Sequence, residues 1–189
     1  AQTRTGMHSS QPLVHNCRIQ SEDGTIRTDV LIQGSFPRFS YDPIDAIFYG
    51  AEADAVVRVG DFDFGLQGSL VRARDSETNE FLLFIPPDQM RANITYRLPE
   101  TDWLVDPQIS VNATVVAKQY NVARESDFAP APDGYALVGA QASAAMYLGE
   151  GRYLVSVEVQ NMLNTRYRDY TSLLRYFADE PGRQVYIRF

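Results

Sequence analysis

The sequence contains a single cysteine, Cys17, two histidines, His8 and His15, and one tryptophan, Trp103. One thiol cannot form an internal disulfide, so cysteine usage leaves the redox compartment open. No run of about 18 apolar residues occurs, which excludes a helical membrane span. Stretches rich in Lys or Arg are also missing, and the net charge is −7 with pI ≈ 4.8. This balance argues against a general nucleic-acid surface. There is no Gly-rich phosphate loop, CxxC or HExxH. No signal peptide is visible, and the Ala1-Gln2 start suits a processed chain and a fragment equally. The 189 residues fit one domain by size.

What the chain does have is alternation with period two. Tyr153, Val155, Val157 and Val159 share one face, against Leu154, Ser156, Glu158 and Gln160. Such alternation marks a strand whose two faces meet different surroundings. The pattern recurs at the end of the chain, with Val185, Ile187 and Phe189 against Gln184, Tyr186 and Arg188. Upstream it spans Tyr49 to Val59, Phe62 to Leu70, Met90 to Leu98, Ile109 to Ala117 and Ala136 to Leu148. Between Thr28 and Tyr41 it is less clean, and a turn is expected at Asp42-Pro43 because proline interrupts a ladder. Residues 1–27 are polar and patternless and are expected to be irregular. Residues 28–189 are expected to form about eight antiparallel strands, the C-terminal one closing the sheet.

Connection lengths carry further information. They are short at 60–61, long at 75–89, medium at 99–107, long at 119–134, short at 149–151 and long at 165–182. Outer-membrane barrels keep short turns in the periplasm and longer loops outside, whereas a soluble sandwich needs no such parity. Glu52, Asp54, Arg58, Arg91, Arg97, Lys118, Glu158 and Arg188 fall on the face opposite the apolar rows. An Arg or Lys facing lipid at the midplane costs about 2–4 kcal/mol, so in a membrane this face points inward. Periodicity alone equally permits a soluble sheet whose apolar rows make a core. A hydrophobic content of 44% decides nothing, since a barrel shows lipid only alternate residues. The 11 tyrosines and 10 phenylalanines suit interfacial girdles or a packed aromatic core.

Longer motifs narrow the choice. Asn161 to Tyr170 reads NMLNTRYRDY and Arg175 to Val185 reads RYFADEPGRQV; upstream stand DAIFYGAEADA (Asp45 to Ala55) and FIPPDQM (Phe84 to Met90). In this order they resemble the barrel of TonB-dependent outer-membrane receptors, where N-L-F-N-x-x-Y-R-D-Y and R-Y-F-x-D-E-x-G-R-N lead into the last strand. The chain departs from that pattern at Met162-Leu163 and at Gln184. Val185, Ile187 and Phe189 resemble the C-terminal assembly signal of bacterial outer-membrane proteins. The resemblance implies an all-β, antiparallel transmembrane β-barrel region from the C-terminal part of such a receptor, in a Gram-negative outer membrane. Its implied cargo is a scarce nutrient, such as siderophore-iron, haem or zinc. Its implied partners are outer-membrane lipid, the barrel-assembly machinery, the remainder of the receptor and, through it, TonB. No plug or TonB box is recognised in residues 1–44. The alternatives are an autonomous small barrel with a structural or binding role, and a soluble lipocalin-like binder.

No catalytic constellation emerges, and neither an enzyme nor a cofactor is expected. Ser9 and Ser10 lie near His8 and His15 with no orienting acid. The H-x6-H-x-C spacing of His8, His15 and Cys17 fits no compact zinc module. Glu52 and Asp54 share a face, as a glycosidase pair would, but salt bridging across the lumen is the expected role. Ligand contact is expected of Arg166, Arg168, Tyr170, Arg175 and Tyr176, since Arg and Tyr suit planar anions such as metal chelates. Against this stands a structural role, in which the same loop folds onto itself and caps the barrel.

Overall fold

A computed structural model describes residues 14–18, 28–31, 34–37, 40–123, 127–149 and 151–189. Four short strands come first: β1 (Val14–Arg18), β2 (Thr28–Leu31), β3 (Gly34–Pro37) and β4 (Ser40–Ile44). They form two small sheets, β1 with β4 and β2 with β3. The remainder is one seven-stranded antiparallel meander in strict sequence order. Its strands are β5 (Ala46–Val59), β6 (Phe62–Asp75), β7 (Gln89–Arg97), β8 (Leu104–Val116), β9 (Tyr135–Leu148), β10 (Gly151–Gln160) and β11 (Gln184–Arg188). Among the described residues there is no α-helix, only a 3-10 turn at Leu173–Tyr176. The fold is all-β, as the alternation requires.

Several sequence expectations change in detail. The single strand expected over 28–41 is replaced by the β2–β3 ladder, so the main sheet has seven strands. Pro43 is not in a turn but within β4, opposite His15; a two-stranded ladder has only edges, where a missing N–H is tolerated. β1 lies inside the segment expected to be irregular. His8, Ser9 and Ser10 fall outside the described residues, and His15 and Cys17 are described only as backbone of β1. The medium connection at 99–107 contracts to a tight turn, because β8 begins at Leu104 and absorbs a bulge between Val105 and Gln108. Asp106 takes φ 48° there, and Pro107, which cannot donate to the ladder, instead accepts Leu98 N at 2.8 Å through its carbonyl.

The turn at Gly60-Asp61 is equally tight, with Gly60 at φ 58°, a conformation open to glycine without strain. Short turns thus occupy one end of the sheet. The three long connections, 76–88, 117–134 and 161–183, all leave from the other. One face is apolar and uncovered: Val57, Val59, Phe62, Phe64, Leu66, Leu70, Ile94, Val111, Val157, Val185 and Ile187 are exposed. A soluble sandwich would bury these rows, whereas lipid would cover them without a second protein layer. At the short-turn end Phe62 stacks on Tyr96 at 4.7 Å between ring centres, and Trp103 and Tyr153 lie exposed at the same end. That is the position of an aromatic girdle. The buried cluster is small, Ala46, Ala73 and Leu82 with Ile44, Phe48 and Ile85, and sits under the long connections.

The opposite face is polar and pairs charges between neighbouring strands. Asp63 of β6 accepts from Arg58 of β5 at 2.8 Å and from Arg97 of β7, and Arg188 of β11 reaches Glu158 of β10 at 2.8 Å. The expected bridging of Glu52 and Asp54 is not formed. Their cross-strand neighbours are the neutral Ser69 and Gln67, and no ion pair reaches them among the described residues. At one level Gly65, Asn93, Asn112 and Gly139 are successive cross-strand partners over β6 to β9. A Cβ on Gly65 would collide with the Asn93 amide, and one on Gly139 would stand 2.9 Å from Asn112 Oδ1. Each outer glycine therefore makes room for an asparagine side chain.

β5 and β11 are the edges of the sheet. β11 pairs only with Ser156–Gln160 of β10. The closure expected of it is not made among the described residues, and the reason is topological. Seven antiparallel strands leave both edge strands running from the long-loop end to the short-turn end, so they could only pair parallel.

Candidate functional site

The three long connections converge on Arg175. It is 3% exposed, and the Asp127 side chain facing it is 6% exposed. Arg175 Nη2 donates to both Asp127 carboxylate oxygens, at 2.6 and 2.7 Å, and to the Tyr176 hydroxyl at 2.7 Å. Tyr176 in turn donates to Asp127 at 2.9 Å. Arg175 Nε and Nη1 are buried without a hydrogen-bond acceptor. Aromatic rings surround the guanidinium, with the Tyr176 ring at 4.3 Å, Tyr170 at 4.6 Å and Phe84 at 5.7 Å from its central carbon. Such cation–π contacts gain strength where water is excluded. Phe84 comes from the 76–88 connection, Asp127 from 117–134, and Tyr170 and Tyr176 from 161–183. Phe84 holds φ 59°, costly for a bulky residue; the contacts of its ring with Tyr176 and Arg175 offset that strain.

The motif around Asn161 explains how the last connection folds back. Asn161 (φ 48°) and Asn164 (φ 54°) take the left-handed conformation that asparagine adopts more readily than most residues. Asn161 Nδ2 donates to Thr165 O at 2.9 Å and its Oδ1 accepts Thr165 N at 2.8 Å, closing a tight loop. Asn164 Oδ1 accepts Arg183 N at 3.0 Å, tying the two ends of the connection together. Arg168 bridges Asp179 and the Arg175 carbonyl, both at 2.8 Å, and Ser172 caps the 3-10 turn through Leu174 N. Replacing Asn161 with alanine removes these two bonds and a longer third one, from Nδ2 to Pro181 O at 3.5 Å, and strains the backbone. We expect a loss of about 2 kcal/mol in the free energy that holds the loop closed, measured by hydrogen exchange of residues 161–183.

Below this loop, on the polar face, a cleft of about 440 Å³ is lined by Gln89, Arg91, Tyr135, Tyr167, Asp169 and Glu180 among others. Tyr135 donates to Asp169 at 2.8 Å and packs against the Tyr167 ring at 4.4 Å. Burial opposes ionisation of Asp169, but bonds from the Thr171 hydroxyl and amide and from Tyr135 outweigh it and hold the carboxyl below its ordinary 3.8. The hydrogen bond from Arg168 lowers Asp179 likewise. Burial, with the charge of Asp127 adding to it, raises Tyr170. A carboxyl lowered on folding stabilises the loop above the unfolded value and loses that contribution as pH falls through the folded one. Protection of the 161–183 amides should therefore be constant from about pH 7 to 5 and decline below about 4, and Asp169→Asn should blunt the decline.

The structure divides the five residues expected to touch ligand. Arg175, Tyr176 and Tyr170, the last 2% exposed, belong to the buried cluster. Arg168 is tied down within the loop. Arg166 is the outward-facing one, 89% exposed with a 3.4 Å contact to Asp179. Nothing local in the sequence marks Asp127, which lies 48 residues from Arg175. Val185, Ile187 and Phe189 lie on the exposed apolar row.

No family model and no curated protein matches the chain. Among solved structures, one described as the copper transporter OprC aligns with 93% of this chain at TM-score 0.66 and 18% identity. The likeness is one of fold, an antiparallel all-β sheet of the transmembrane-barrel type. The chain spans 26% of that protein's length. That neighbour is described as a transporter.

Proposed function

We propose that this chain is part of the barrel wall of an outer-membrane transporter of the TonB-dependent receptor type, serving uptake of a scarce metal or metal chelate. The observation that carries the reading is the uncovered apolar face of a seven-stranded meander whose short turns and long loops are segregated to opposite ends. Likeness in fold to a copper transporter supports transport as the activity and a metal as the class of cargo. Residues 161–183 cap the extracellular end, and Arg166, outward-facing and held only by its contact with Asp179, is the candidate in that cap best placed to meet an anionic chelate. The remainder of the barrel, a plug and TonB are the partners this reading requires. An autonomous small barrel is disfavoured, because its two edge strands would have to pair parallel.

The test is refolding of the full chain in detergent and in plain buffer, followed by circular dichroism and by gel migration with and without boiling. The reading expects β structure and heat-modifiable migration only in detergent. β-rich folding in plain buffer would rule it out. For the cargo, cells carrying a deletion of residues 161–183 should accumulate less copper, iron or zinc under limitation of that metal; unchanged content of all three would count against transport.

A further inference from the structure

The outer edge of β5 is a 14-residue strand with no partner among the described residues. An edge of that length with an apolar row is a template for another strand, and in lipid its unpaired N–H and C=O groups each cost several kcal/mol. The occupant can be narrowed by direction and by charge. β5 and β11 run the same way, so the sheet cannot close on itself with antiparallel pairing. Nor can a second copy complete it: two copies upright in one membrane would set β5 against β5 or β11, parallel in both cases. The strand beside β5 must therefore run the other way and come from outside this seven-stranded set.

Charge describes that strand further. Asp63 and Glu158 on the polar face are each met by arginine from an adjacent strand. Among the described residues Glu52 and Asp54 are not, because β6 offers them serine and glutamine. The side on which a cation is still to come is the open edge. We infer that the β5 edge is covered by an amphipathic strand antiparallel to it, carrying Lys or Arg on its inward row against Glu52 and Asp54. This rests on the barrel reading above and names the chemistry of the partner that reading requires.

The probe is a synthetic 13-residue strand peptide alternating valine with polar residues, bearing two lysines at successive inward positions. The control peptide carries glutamates there. Each is labelled and added while the full chain refolds in detergent, and binding is read by fluorescence anisotropy. The lysine peptide should bind about tenfold more tightly, since two cross-strand positions change from like to opposite charge. The E52K/D54K variant should prefer the glutamate peptide, and E52Q/D54Q, which keeps the side-chain size, should show no preference. Equal binding of both peptides to the unaltered chain, or a lysine preference surviving in E52Q/D54Q, overturns the inference. Heat-modifiable folding with no charge preference sinks this inference alone. Folding in plain buffer removes the barrel reading and this with it.

Discussion

Replacing Arg175 with methionine should open the loop-bearing end of the molecule at a cost of about 3–5 kcal/mol, because it leaves the Asp127 carboxylate buried and unpaired. Among the described residues no second cation meets Asp127, and its other donors, Tyr176 and the Ala129 amide, are already in place. The loss should appear as protease cleavage within both 117–134 and 161–183, although only the second contains the substitution, because the ion pair joins the two. Adding Asp127→Asn should recover much of the loss, since a neutral amide tolerates burial better than a lone charge. Arg175→Lys should fall between, keeping the charge but losing the flat guanidinium that lies against Tyr170 and Tyr176. If limited proteolysis finds the methionine variant as resistant as the parent, the cluster is not what holds these connections together.

A second large effect is expected from an arginine placed on the apolar row. Leu66 lies mid-way along that row, opposite Ala55 in β5 and Ala92 in β7. Leu66→Arg should cost about 2–4 kcal/mol in a bilayer. Gln67→Arg, one residue along, points to the polar face, where Asp54 and Arg91 are its two cross-strand neighbours and offset each other, and should be nearly neutral. The measurement is urea unfolding from lipid vesicles. Equal tolerance of the two arginines would mean that the apolar row does not face lipid. Because Leu66 is about half exposed in the protein alone, the predicted cost comes from the surroundings rather than from lost internal packing.

Both variants draw on what the sequence makes legible. The face of Leu66 can be read from alternation, because a strand assigns sides by parity. The segregation of short and long connections is legible as well, and the bulge at Asp106-Pro107 only sharpens it. Residues 28–41 are not resolved by parity, because weak alternation in a Pro- and Gly-bearing stretch fits two short strands as well as one longer strand. The Arg175 cluster was only half legible. Its aromatic residues stand out within RYRDY and RYF, but their burial depends on Asp127 and Phe84, which belong to other connections. A loop's composition suggests what it can bind, yet its exposure is decided by what else folds against it. The asparagines at 161 and 164 read as polar loop residues until their positive φ values reveal why asparagine stands there.

The row of Gly65, Asn93, Asn112 and Gly139 bears on how the strands find their places. Sliding one strand by a single residue moves its apolar row onto the polar face. Sliding it by two returns every side chain to its proper side, so the apolar pattern cannot expose that error. The glycine–asparagine row can: moved two places, Asn93 would meet Asp63 or Gln67 instead of Gly65, and Asn112 would meet Leu137 or Gln141 instead of Gly139. Four small and polar residues at one level thus act as a vernier, marking the alignment that the oily pattern leaves ambiguous.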